Sequence, residues 1–297
     1  MQKFKRVFKK YFSLVLILAV GVIFWGASGL FYYYFSSPSE EFVKYFENYE
    51  PYKETAATYR NRPPMTEKIL SLKEKTARVP ILVYHTIKPY EFASSKKDYA
   101  FNVPPRTFEK QMKYLKNKKY NSISMAMLDN FFEKGTSLPK NPVVITFDDG
   151  WETQYTRALP ILKKYGFAAT FYIITGDIGE KNFLNWEQVR NLAGAGMEIG
   201  GHTKSHPFLT DVDDDKLTEE VGEGKEIIEK NIGQAINTFA YPYGRYDDRV
   251  VSAVSSAGYK IARTTDAGSE QSLAEIFVLR GDLIFNNMDG LEKAVGK

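Results

Sequence analysis

The 297-residue chain contains no cysteine. That excludes a disulfide framework, thiolate-ligated zinc, iron–sulfur clusters, a thiol nucleophile and lipidation of an N-terminal Cys. Histidine is also scarce: chemistry that needs an imidazole must draw on His85, His202 or His206. Net basic charge is missing from the body of the chain. The formal charge is +4, yet Lys3, Lys5, Arg6, Lys9 and Lys10 fall within the first ten residues, with no acid among them. The remainder is close to neutral, which argues against nucleic acid as a partner, because that footprint needs Lys and Arg gathered on the folded part. No internal repeat or low-complexity tract is visible. With 43% hydrophobic and 26% charged residues, the chain can bury a sizeable core.

Charge is absent altogether from Tyr11 to Ser39, and Leu14–Phe35 is almost wholly apolar. About 20 such residues, at ~1.5 Å rise each, cross a hydrocarbon layer of ~30 Å. Trp25 and the Phe31–Tyr34 run suit an interfacial aromatic belt, and the preceding cations keep the N-terminus in the cytoplasm. The expectation is a single-pass membrane protein with residues 1–36 as basic tip and transmembrane anchor and the rest outside. The alternative is a signal peptide cleaved near Gly26–Gly29, giving a secreted protein. The apolar run outlasts a usual signal core of about 7–15 residues, which favours retention. Residues 37–79, rich in Glu, Lys and Tyr and broken by Pro38, Pro51, Pro63 and Pro64, read as a stalk.

From Pro80 onward short β-rich runs alternate with helical ones. Strands are expected at Pro80–Tyr84, Tyr120–Ser124, Pro142–Phe147, Ala168–Ile174, Met197–Gly200, Asn237–Tyr241, Lys260–Thr264 and Phe277–Leu283. The intervening helices include Thr107–Lys118, Met125–Lys134, Thr153–Tyr165, Trp186–Ala195, one long helix over Asp213–Ile232, Asp247–Ala257 and Met288–Val295. Repeated βα units imply an α/β fold with a parallel sheet. Their number points to a distorted (β/α) barrel of about seven parallel strands occupying 80–297. In such barrels chemistry sits at the C-terminal ends of the strands.

The candidate residues fall there. His85 follows the first strand, Asp148 and Asp149 follow Val143–Phe147, His202 follows Met197–Gly200, and Tyr241–Gly244 ends a fourth strand. Each signal is ambiguous alone. Asp-Asp-Gly is often only a turn, and a His-x-x-x-His pair can be two solvated side chains. Together, two imidazoles and one carboxylate at a barrel mouth make a three-ligand set with an open position, the arrangement that holds catalytic zinc. Adjacent residues at a strand end point in different directions. One of the two aspartates can therefore bind an ion while the other serves as base.

The segments Thr146–Gly150 (TFDDG), His202–His206 (HTKSH) and Tyr241–Gly244 (YPYG), with Trp186 and the LAGAGMEIGGH stretch, resemble the signatures of the polysaccharide deacetylases, carbohydrate esterase family four. The resemblance covers about residues 80–285. It implies a distorted (β/α) barrel and metal-dependent removal of acetyl groups from amino sugars in a polymer. By position, Asp149, His202 and His206 are the implied metal ligands, Asp148 the general base, and the backbone N–H of Tyr243 the oxyanion donor. One divalent ion is implied. Zinc suits the donor set, and cobalt or nickel could serve.

Two departures from the family's usual pattern are visible. No histidine follows His206, so the usual C-terminal general acid is missing. The segment Ile81–Ile87 resembles the N-terminal strand that carries this histidine in a subgroup similar to poly-N-acetylglucosamine deacetylases, which assigns His85 as the acid. The Arg usual before the Pro–Tyr segment is replaced by Phe239 and Ala240. Arg280 is the expected substitute partner of Asp148. Trp151 and Phe208 are the expected sugar-stacking faces. The expected activity is N-deacetylation of N-acetylglucosamine units in an extracellular or cell-wall polysaccharide. The alternatives are an O-acetyl esterase and a non-catalytic glycan-binding module at the surface.

Overall fold

The computed structural model of the protein describes residues 75–89 and 101–296. The expected anchor over 1–36 and most of the expected stalk over 37–79 lie outside the described residues. Among the described residues, no helix is long and apolar enough to cross a membrane.

In chain order the elements are β1 (Thr76–Arg78), β2 (Ile81–Tyr84), α1 (Pro105–Asn117), β3 (Asn121–Ser122), α2 (Met125–Lys134) and β4 (Pro142–Phe147). They continue with α3 (Leu159–Tyr165), β5 (Thr170–Ile173), α4 (Trp186–Gly194), β6 (Glu198–Gly201), α5 (Asp214–Thr218), α6 (Gly224–Ile232) and β7 (Thr238–Ala240). The last are α7 (Asp248–Ser256), β8 (Ile261–Arg263), β9 (Glu270–Ser272), β10 (Asp282–Leu283) and α8 (Met288–Ala294). Seven parallel strands, in the order β10-β2-β4-β5-β6-β7-β8, form a curled sheet of the (β/α)-barrel type, and β3 adds to the start of β4.

The strands read as near-continuous apolar runs because both faces of the sheet are covered. Alternate residues divide between two cores. Leu82, Tyr84, Val143, Ile145 and Phe147 pack with the helical residues Phe108, Met112, Leu115 and Leu162. Ile81, Val144, Tyr172, Ala240 and Ile261 pack with Leu128 and Phe132 of α2. The Glu198 carboxylate, at the start of β6, accepts the amides of Met125 and Ala126 at 2.8 and 2.9 Å and so fixes the first turn of α2.

Three expectations change. The expected strand Phe277–Leu283 is split: Leu279 bridges to Arg263 of β8, and only Asp282–Leu283 pairs with β2. This segment switches neighbours, so no continuous ladder forms. The long helix expected over Asp213–Ile232 is interrupted by a π-turn at Glu219–Glu223, and the helix expected over Thr153–Tyr165 begins with another at Gln154–Ala158. Such turns re-aim side chains and are frequent near functional sites. Finally, Thr76–Arg78, assigned to the stalk from sequence, is a strand paired antiparallel with Glu270–Ser272.

The C-terminal strand ends form one rim, which receives His85, the Asp148–Asp149 pair, His202 and Tyr241. Backbone packing there is close. A Cβ at Gly200 would lie 2.6 Å from the Tyr172 ring and 2.8 Å from the Thr238 methyl group. Gly200→Ala is therefore expected to destabilise the fold by about 1–3 kcal/mol through overpacking, read as a lower denaturation midpoint with an unchanged m-value.

Candidate active site

The turn after β4 sets the acids. Asp148 keeps sheet geometry: its amide donates to the Tyr84 carbonyl at 2.9 Å, and the residue is buried. Asp149 then adopts φ 75° and Gly150 φ 78°. Successive left-handed residues turn the chain sharply, so the two carboxylates diverge. Four of the positive-φ non-glycine residues, Asp149, Thr203, His206 and Tyr243, belong to this one region. Strain of that kind persists where surrounding structure over-determines it, and it clusters at functional sites.

Asp149, His202 and His206 are brought together. The Asp149 Oδ1 lies 3.5 Å from His202 Nε2 and 3.7 Å from His206 Nε2, and the two imidazole nitrogens are 3.2 Å apart. Donor bonds of about 2.0–2.2 Å in a tetrahedron place neighbouring donors about 3.3–3.6 Å apart. The three atoms therefore fit one ion, and they are the carboxylate–imidazole set that suits zinc or a related divalent metal. The His202 Nδ1 pairs with the Ala240 carbonyl at 2.7 Å, which turns Nε2 toward the other donors. Trp151 donates its indole N–H to Asp149 Oδ2 at 2.9 Å, leaving Oδ1 for the centre.

Charge states follow from the surroundings. Burial opposes ionisation of Asp149, but the contact with His202 and positive charge on His85, His202 and His206 outweigh it and hold the carboxyl well below the usual range. Burial also opposes charge on His202, yet the Asp149 contact and the Asp148 field lift its pKa above the ordinary value. His206 is pushed down to about 4, first by burial and then by repulsion from His202. At neutral pH the cluster thus offers an ionised carboxylate and a neutral His206. A divalent ion would compete at His202 with the proton that the Asp149 contact favours there.

Asp148 has a partner, and it is not Arg280. The guanidinium of Arg263, fully buried at the end of β8, donates to Asp148 Oδ1. Arg280 instead faces Glu275 at 3.7 Å, with its backbone held by Gln271. The reason is where the two side chains lie. The Arg263 side chain lies in the interior against Tyr172, whereas the Arg280 side chain is 44% exposed on the side of Glu275. Arg263 also lies over the Tyr172 ring at 4.8 Å. The sequence carried a signal, an arginine ending an apolar strand (Ile261–Ala262–Arg263), but nothing in it pointed to Asp148.

His85 stands on the same rim. Its ring packs on Phe101 at 4.9 Å, and its carbonyl accepts from Gln154 Nε2 at 3.1 Å. The same amide donates to the Asp148 carbonyl, so Gln154 ties the two strand ends together. The turn at Pro242–Gly244 is closed by the amides of Gly244 and Arg245, which leaves the Tyr243 N–H outside those two bonds. Trp151 differs from its expected role as a free sugar-stacking face: one side stacks on Phe183 at 4.4 Å while the indole N–H is used by Asp149. Phe208 is 36% exposed and stacks on Tyr243 at 4.0 Å, with Tyr243 in turn against His206 at 4.5 Å. Together these rings form an aromatic wall beside the three donors.

A further residue escaped the sequence reading. Glu220, fully buried in the π-turn between α5 and α6, accepts the amides of Lys204 and Ser205 at 3.0 and 2.7 Å and the Ser205 hydroxyl at 2.6 Å. Lys216 balances its charge at 3.0 Å. A Cβ at Gly224 would meet Thr203 C at 3.2 Å, so the helix backbone rests directly on the same loop. Glu220 therefore fixes the loop that separates the two histidines.

The Polysaccharide deacetylase family pattern matches residues 135–262. A Staphylococcus aureus (strain MRSA252) protein named poly-beta-1,6-N-acetyl-D-glucosamine N-deacetylase is 32% identical over 215 residues, covering 65% of this chain and 73% of that protein. YxkH of Bacillus subtilis (strain 168), whose name refers to the polysaccharide deacetylases, is 30% identical over 217 residues, 73% of this chain and 75% of its own. Among solved structures, the Streptococcus pyogenes deacetylase PplD in complex with acetate superposes with a TM-score of 0.68 at 30% identity, covering 75% of this chain and 100% of that one.

Two outcomes test the geometry. Arg263→Gln leaves Asp148 buried and unpaired, which is expected to cost about 3–5 kcal/mol. Adding Asp148→Asn should restore much of that loss in a denaturant titration. Glu220→Ala is expected to weaken divalent-metal binding about 10–100-fold in a competitive chelator titration, with Glu220→Gln intermediate.

Proposed function

The chain belongs to the polysaccharide deacetylase family, and on that premise we propose that it is a metal-dependent hydrolase removing N-acetyl groups from N-acetylglucosamine units of an extracellular or cell-wall polysaccharide. The observation that carries this reading is the convergence of Asp149, His202 and His206 on one point, with a second, arginine-paired carboxylate beside them. A purely glycan-binding module would need neither a metal triad nor a separate base.

Asp149, His202 and His206 would hold one divalent ion, zinc by the donor set. Such an ion supplies Lewis-acid polarisation and lowers the pKa of water. The protein's own groups do the rest. Asp148, paired with Arg263, takes the proton of the attacking water. The Tyr243 backbone N–H donates to the oxygen on which negative charge develops, a contribution typically of ~10²–10³ in rate. His85 protonates the departing sugar nitrogen, and the products are acetate and a free amine. The Phe208–Tyr243 wall offers a stacking surface to the sugar ring.

The Staphylococcus aureus relative, named for poly-beta-1,6-N-acetyl-D-glucosamine, supports an exopolysaccharide of N-acetylglucosamine as substrate. Residues 1–36 would anchor the enzyme in the cell membrane, N-terminus inside, with the catalytic domain outside. The support for this is the charge-free run Leu14–Phe35 behind its basic cluster.

Mass analysis of N-acetylglucosamine oligomers and peptidoglycan fragments, incubated with metal-loaded protein, tests the reaction. Acetate release from the oligomers is expected. Asp148→Asn should lower kcat by about 10²–10⁴ while metal content is retained, whereas His202→Ala should lose both metal and turnover. Full activity of the His202 variant would overturn the scheme.

A further inference from the structure

The near-neutral charge of the chain beyond its N-terminal cluster conceals a strong separation. The exposed side of α1 and the turn after it present Arg106, Lys110, Lys113, Lys116, Lys118 and Lys119. Glu109 is the sole acid from Pro105 to Tyr120, and it is bound to Lys164 at 2.5 Å. The last turn of α3, packed beside α1, adds exposed Lys163 and Lys164. The rim differs: there Asp148 is paired with Arg263 and Asp149 with the two histidines, and the loop after β5 adds half-buried Asp177 and exposed Glu180 beside exposed Lys181.

The placement of the basic face matters as much as its charge. Lys118 and Lys119 directly precede β3, whose Asn121 pairs with Pro142 at the start of β4. They therefore lie at the N-terminal ends of the strands, away from the rim. The same end receives the chain from its N-terminal region. Arg78 of β1 donates to the Val295 carbonyl at 2.9 Å, and Tyr120, next to Lys119, donates to the same carbonyl at 2.9 Å.

From this juxtaposition we infer that the face formed by α1 and the end of α3 docks on an anionic phospholipid surface. The inference rests on the anchored reading above, in which the tether leads into a bilayer. Lysines near an anionic leaflet each strengthen association about fivefold, an effect confined to within a Debye length. Docked through the lower end of this face, where Lys116, Lys118 and Lys119 precede β3, the domain turns its catalytic mouth away from the membrane, toward polymer outside.

The absence of cysteine permits a single-label test on the full chain. An Asn117→Cys variant, labelled with a fluorophore, is placed in nanodiscs of phosphatidylcholine alone or enriched in phosphatidylglycerol, with a headgroup-quencher lipid in each. Quenching is expected to be several-fold stronger with phosphatidylglycerol and to disappear in 1 M salt. It should fall about fivefold per residue as Lys110, Lys113, Lys116 and Lys119 are changed to Gln; the combined variant should keep its Tm. A label at Glu180→Cys, on the rim, should remain unquenched. Equal quenching in the two lipids, or stronger quenching at Glu180, overturns the proposal. So does a response of the Asn117 label to soluble heparin but not to phosphatidylglycerol. Failure of the anchor shows separately, as release of the chain from phosphatidylcholine discs by alkaline extraction. Docking is then read from flotation with phosphatidylglycerol vesicles, and absence of flotation overturns it.

Discussion

One carboxylate oxygen and two imidazole nitrogens, all within 3.7 Å of one another, constrain everything around them. Bringing a negative oxygen and two donor lone pairs to one point is unfavourable without a cation, and the loops that do so adopt positive φ at Asp149, Thr203 and His206. The protein meets this demand with buried, fully bonded neighbours. Ala240 orients His202, Trp151 occupies the spare oxygen of Asp149, and Glu220 gathers the amides of Lys204 and Ser205. The π-turn that delivers Glu220, and Gly224 that lets the helix backbone touch the loop, are parts of the same support. A regular helix through Glu219–Glu223 would point that carboxylate elsewhere.

The second carboxylate depends on a different compensation. Asp148 is almost fully buried, where an unpaired charge is heavily penalised. Arg263 supplies the opposite charge from a strand two places removed in the sheet from β6, and Tyr172 lines the other side of the guanidinium. The result is two adjacent carboxylates, a single peptide unit apart, held in distinct environments: one beside two imidazoles, the other against a buried guanidinium. A hydrolytic site of the kind proposed needs that division, and a simple Asp-Asp-Gly turn would not require it.

Much of this was legible before any coordinates. Apolar runs such as Val143–Phe147 announce strands buried on both faces, and their alternation with amphipathic segments dictates a parallel βα architecture. Because chemistry in such a fold gathers at strand C-termini, the positions of His85, Asp148, Asp149 and His202 could be read from chain order alone. What local pattern does not encode is which strand lies beside which. The expectation of Arg280 as the partner of Asp148 failed on that point. Arg263 and Arg280 both stand at expected strands, and only the tertiary structure, with Arg263 buried and Arg280 facing Glu275, shows which side chain meets Asp148. Glu220 was hidden for a similar reason: in a helix rich in acids, burial singles it out, and burial is a tertiary property.

The sequence by itself determined the repeated βα plan, the absence of thiol chemistry, the candidate metal donors and the charge-free run near the N-terminus, because each depends on residue type and short-range spacing. Tertiary structure alone decided the partner of Asp148, the clamp on the histidine loop, the partial occupation of Trp151 and the gathering of exposed lysines from α1 and the end of α3 on one face. Those depend on contacts between residues far apart in the chain, whose distances are set by how the sheet curls and not by any local periodicity.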